Sequence, residues 1–186
     1  MIVKPVSEIV DLEALIPLDG LKPVVGVDWE EDDEELLSIR SSSIDRVASF
    51  LKYPINRSNC IIRLTLVNFN LDPDRIRKGF EAQNMPINSI TKISRLREDG
   101  TEEDIDSALY TYNESLNKIS FSNNIQHKKE GFTELLIYCD IGWDYGTLPA
   151  EVRQTIHAIA IEAYDKPDFP KSNSLLRPVC NYKFYN

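Results

Sequence analysis

The side chains able to do chemistry are few and scattered. Histidine occurs twice, at His127 and His157, and cysteine three times, at Cys60, Cys139 and Cys180. None of the five has a second ligand at zinc spacing, and no C-x-x-C occurs. The glycines spell no phosphate-cradling loop and no nucleophile elbow, since G-x-x-x-x-G-K-[ST], G-x-G-x-x-G and G-x-S-x-G are all absent. The one dense group is acidic: Glu30, Glu31, Asp32, Asp33, Glu34 and Glu35 are consecutive. Asp28, Glu30 and Asp32 alternate as the first three ligands of a calcium loop do. However, Asp33 stands where the sharp turn needs glycine, and Ile39 where a bidentate glutamate belongs. A magnesium-dependent enzyme would need carboxylates converging from separate elements, together with a base. The run keeps a metal-dependent enzyme open as an alternative, but a solvated acidic start to a helix is the simpler reading. Cysteines in no motif read as reduced thiols, Cys139 as a core thiol, and Trp29 and Trp143 as packing residues.

Two elements are needed to position these groups. Leu37, Ile44, Val47 and Leu51 step at helical spacing, widened by Leu36, Ala48 and Phe50, and predict a helix over 28–53 that Tyr53-Pro54 ends. In 132–141, Leu135, Ile137, Cys139 and Ile141 alternate with Leu136, Tyr138 and Asp140, a strand with at least one buried face. Gly142 and Gly146 bracket a corner, Pro149 suits the first helical turn, and Val152, Ile156, Ile159 and Ala163 form one face of a second helix. Between them, Ile62, Leu64 and Leu66 alternate with polar residues. The stretch 87–97 reads as a strand before a D-G turn at Glu98–Thr101. Tyr110–Tyr112 and Lys118–Phe121 read as short strands, and 122–131 as a polar loop.

The chain of 186 residues carries a net charge of −9. That excludes a phosphate-gripping surface as the main one. No apolar run is long enough for a membrane span, and the N-terminus does not read as a signal peptide. The charge is uneven. Lys166, Lys171, Arg177 and Lys183 face one acid, Asp168, in the last 21 residues, a local +3 that leaves −12 on the rest. With Leu175, Leu176, Pro178, Tyr182 and Phe184 among them, these residues read as an interaction arm or a loose terminus. Residues 1–17 read as an N-terminal extension with one or two helical turns, and Arg153 as an exposed residue beside the core stripe of the last helix. The expected architecture is α+β and mainly helical. A long N-terminal helix and a C-terminal helix pack together, with a β-hairpin and strand region inserted between them.

Four stretches, in order, resemble the head–tail connector (adaptor, or head-completion) proteins of long-tailed bacteriophages. They are LDGLKPVVGVDWEEDDEELL, SSSIDRVASFLKYPI, MPINSITKISRLREDGTEEDID with YTYNESLNKISF, and the strand–corner–Leu-Pro-Ala–helix of 132–164. The segment SLLRP resembles the family's ending, although Val179 and Cys180 stand where the family continues with an aromatic and a basic residue. The resemblance implies a connector-like domain over 18–165 and an interaction arm over 166–186. It implies a structural protein of the virion neck, made in the host bacterial cytoplasm, with no enzyme activity and no cofactor. Its partners would be further copies of itself in a ring, dodecameric on the portal, then the portal protein and the next neck or tail-completion protein. DNA would pass without specific binding, and no membrane is involved. Under that reading Glu30, Glu31, Asp32, Asp33, Glu34 and Glu35 face the channel, Lys171, Leu175, Leu176, Arg177, Pro178, Tyr182 and Phe184 dock the portal or a neighbour, and Arg153 lies at a subunit interface. Another neck or tail-completion protein, and a monomeric binding module unrelated to virions, are the further readings.

Overall fold

The computed structural model describes residues 2–8, 12–65, 80–82, 85–122, 132–166 and 173–183. The chain divides into two compact units. One holds Met1–Glu8 and Ser58–Gly142, and the other holds Ile9–Arg57 and Trp143–Tyr185.

The first unit is built of strands. β1 (Ile2–Glu8), β2 (Ser58–Thr65), β4 (Ile87–Arg97), β5 (Glu102–Asp104) and β8 (Phe132–Ile141) form one sheet, in the order β1-β2-β8-β4-β5. Every pairing in it is antiparallel. The period-two pattern sets the register: Cys60 lies opposite Cys139, Ile62 opposite Ile137 and Leu64 opposite Leu135. Ser58, Cys60, Ile62 and Leu64 are buried while the residues between them are not. β4 turns into β5 through the D-G turn. There Gly100 takes φ +84°, and Asp99 accepts hydrogen bonds from the Thr101 amide at 2.9 Å and hydroxyl at 2.7 Å. A three-stranded sheet, β3 (Phe80–Glu81), β7 (Lys118–Phe121) and β6 (Tyr110–Asn113), completes the unit. The Tyr112 hydroxyl donates to the Ile87 carbonyl at 2.7 Å, joining it to β4.

The second unit is helical. α1 (Leu12–Leu15), α2 (Leu18–Val25), α3 (Asp33–Leu51) and α4 (Ala150–Asp165) pack with a 3-10 helix, Asn173–Tyr182. α3 buries Ile44, Val47 and Leu51 as its sequence announces, together with Leu36 and Ile39, whereas Leu37, read as the first residue of the stripe, is 40% exposed. Arg40, 7% exposed on that stripe, is held by Glu13 and by the Ile16 carbonyl at 3.0 Å, so its buried charge is answered. α4 buries Val152, Thr155, Ile156, Ile159 and Ala160.

The expectation of a mainly helical chain led by a long N-terminal helix is overturned. A five-stranded antiparallel sheet and a second sheet make up one of the two units. The N-terminal element is a strand, and the long helix comes after it, α1 and α2. Two physical reasons account for the difference. An amphipathic helix of this length repeats its pattern over five turns, whereas β5 (Glu-Glu-Asp) and β6 (Tyr-Thr-Tyr-Asn) bury almost nothing of their own and form only by pairing. The long helix is also shorter than predicted. Gly26, left-handed at φ +84°, ends α2, and Asp28–Asp32 make a turn in which the Asp33 amide donates to the Glu30 carbonyl at 3.1 Å. At the other end Lys52 takes φ +69°, and its amide caps the Ala48 carbonyl at 2.8 Å before Tyr53-Pro54.

Candidate functional site

The acidic run does not point one way. Asp32, the residue before α3, gives its carboxylate to no backbone amide of the helix. Instead one oxygen, Oδ2, accepts from Trp29 Nε1 at 2.9 Å and from the Tyr164 hydroxyl at 2.7 Å. Those two donors, Tyr164 foremost and then Trp29, hold the Asp32 carboxyl below the usual carboxylate range. The same bond, with Asp32, Glu35 and Asp165 near the ring, raises the Tyr164 phenol. Asp33 is tied to Lys22, Nζ to Oδ1 at 2.5 Å, and this bond raises the lysine above its ordinary value. Glu30, Glu31, Glu34 and Glu35 are exposed. Two of the six carboxylates therefore build structure, and four face outward near the amino end of α3, where the helix dipole favours negative charge. Trp29 is 48% exposed rather than packed.

The described part of the arm is folded onto the helical unit. In the 3-10 helix, Leu176 and Val179 are buried, Leu175 is half-buried, and Arg177 and Pro178 are exposed. Tyr182 accepts a hydrogen bond on its carbonyl from the Tyr53 hydroxyl at 3.0 Å, and its own hydroxyl donates to Glu151 at 3.2 Å. Its ring meets Trp143 edge-on at 6.2 Å, and Trp143 meets Tyr53 at 6.0 Å. Lys183 stands over the Phe50 ring at 4.5 Å. Lys171 and Phe184 lie outside the described residues. Arg153 is half-buried, with its guanidinium 5.1 Å from the centre of the Tyr145 ring.

The groups singled out for chemistry are dispersed. Burial pushes the Cys60 and Cys139 thiols up to about 12, the opposite of what a nucleophile needs. His157 is half-buried and lowered, by desolvation first and then by Arg153. His127 lies outside the described residues. Among the described residues, no group of three His, Cys, Asp or Glu side chains is placed to hold a metal ion. No described helix is long and apolar enough to cross a membrane.

Sequence reasoning misses Tyr164, and it reads Tyr182 only as an arm residue and Tyr53 only as a helix stop. Tyr164 sits 132 positions from Asp32, and no local pattern links the two.

No family model matches the sequence, and no curated protein matches it. Solved structures do share the fold. A chain from the neck of an empty gene transfer agent (GTA) particle, computed with C6 symmetry, aligns at TM-score 0.63 and 13% identity, covering 100% of this chain and 97% of its own. A chain from the virion of the native gene transfer agent particle aligns at TM-score 0.63 and 14% identity with the same coverage. One from the neck of the native GTA particle, computed with C12 symmetry, aligns at 0.61 and 13%. At such identities the likeness establishes that this chain has the fold of those particle components over its whole length.

Proposed function

We propose that the protein is a structural component of the neck of a phage-like particle, an adaptor that joins copies of itself into a ring, extends the DNA channel and docks the next component. The full-length likeness to a chain of a gene transfer agent virion and to chains of gene transfer agent necks, the necks computed with C6 and C12 symmetry, carries this reading. The four connector-like stretches support it. So does the charge: exposed Glu30, Glu31 and Glu34 on a body of net negative charge suit a channel wall that DNA passes without adhering. The portal and the next neck or tail-completion protein are the partners in this reading, and the arm, with Arg153, supplies contact residues. A different neck or tail-completion component is the second reading, favoured by the same likeness. The metal-dependent enzyme has less behind it, because Asp32 and Asp33 are engaged by Trp29, Tyr164 and Lys22.

The test is assembly. The purified chain, alone and mixed with the portal ring of its own particle, is weighed in solution and imaged by negative stain. Closed rings, or chains gathered on the portal ring, are expected. A chain that stays monomeric in both conditions sinks the adaptor reading.

A further inference from the structure

Trp29 and Tyr164 are fixed in place yet not fully covered. Both donate to one oxygen of Asp32. Trp29 is 48% exposed, and Ile161, one turn before Tyr164 on α4, is 36% exposed. Side chains already ordered lose little entropy on binding, and tryptophan and tyrosine are the residues that most often carry an interface. The surroundings are acidic. Asp32, Glu35 and Asp165 all act on the Tyr164 phenol. Neither Glu35 nor Asp165 has an ion-pair partner among the described residues, and Lys22, the nearby cation, is taken by Asp33. The surface therefore offers aromatic faces and unanswered carboxylates, the combination that receives a guanidinium.

Among the described residues one guanidinium has nothing to hold. Every other described arginine has a partner within the chain, whereas exposed Arg177 has none among the described residues. Its backbone is nonetheless anchored, since Leu176 before it and Val179 after it are buried. We infer that the Trp29–Tyr164 surface of one copy seats Arg177 of the next copy. The guanidinium stacks on Trp29 and bonds to Glu35 and Asp165, while Ile161 covers the stem. Donor and receiver are different patches, so the contact is head-to-tail and repeats from copy to copy until a ring closes. This rests on the ring reading above and adds the residues that would join the subunits.

A charge-reversal cycle on the full chain tests it. Self-association is measured by sedimentation, with or without the portal ring. The expected result is that Arg177→Glu and Glu35→Arg each weaken association about tenfold or more, and that the double variant recovers most of the loss. Thermal melts of all three should match the parent, which separates an interface effect from unfolding. In a Trp143→Phe background, emission then reports Trp29 alone, and it should shift to the blue as copies associate. If rings form but neither reversal weakens them, or the pair shows no rescue, or Trp29 emission stays constant, the contact is elsewhere and only this inference falls. If the parent never associates, with or without the portal ring, the ring reading falls and takes this inference with it.

Discussion

The helical unit contains two aromatic clusters of nearly the same composition. Tyr53, Trp143 and Tyr182 form one, and Trp29 and Tyr164 around Asp32 form the other. The first is closed: Trp143 is 8% exposed, Tyr53 is 3% exposed, and burial pushes the Tyr53 phenol far up. The second is open and charged, with Trp29 48% exposed. Both use hydrogen bonds to fix their rings, but in the first the acceptor for Tyr53 is a backbone carbonyl of the arm, and in the second it is a carboxylate. The difference teaches that residue type does not separate a packing cluster from a presenting one. What separates them is whether the surrounding chain spends apolar surface on covering the rings.

The largest effect that could break this contrast is on stability. Trp143→Ala should cost about 3–5 kcal/mol, as removal of a buried large aromatic does, whereas Trp29→Ala should cost under about 1 kcal/mol. Chemical denaturation of both variants checks the pair. Equal losses would mean that Trp29 is a core residue after all.

A smaller effect concerns the arm. From its composition, 166–186 reads as a segment whose removal leaves the body folded. The buried Leu176 and Val179 argue otherwise, because each fully buried aliphatic side chain is worth about 1.5–3 kcal/mol. Deleting the segment should lower the unfolding free energy by several kcal/mol and expose the Trp143 cluster, visible as a red shift in its emission. An unchanged melt would show that the 3-10 helix is only resting on α3 and α4.

The sequence made some of this legible and hid the rest for identifiable reasons. The stripe of α3, the alternation of β8, the D-G turn between β4 and β5 and the core role of Ile156 are local patterns, and local patterns can be read. Ile156 is fully buried, so Ile156→Asp remains a substitution expected to unfold the unit. The strand character of Ile2–Glu8 was hidden because it depends on a partner strand, β2, 50 or more positions away. The sorting of the acidic run into two engaged and four outward carboxylates was hidden too. Its cause is a tyrosine on another helix and a lysine on a third. Composition located the acidic cluster but could not tell which of its members build structure.

The smallest effect is the one that reads the open cluster directly. Asp32 is held below the ordinary carboxylate range by Tyr164 first and Trp29 second. A carboxyl depressed in the folded state takes up its proton less readily there than in the unfolded chain. Its contribution is therefore complete above the unfolded value, about 3.9, and is lost as pH falls through the lowered folded value. Protonation weakens the acceptor that both rings share, so Trp29 should loosen over that acid range while Trp143, buried and packed between Tyr53 and Tyr182, does not. In the Trp143→Phe variant, emission followed from neutral pH downward should change with a midpoint below about 3.9. Asp32→Asn should abolish the transition without changing the melt at neutral pH by more than a small surface effect. A midpoint at or above the ordinary aspartate value, or a transition that survives Asp32→Asn, would mean that the carboxylate does not organise the two rings, and the distinction between a closed cluster and a pinned open one would lose its basis.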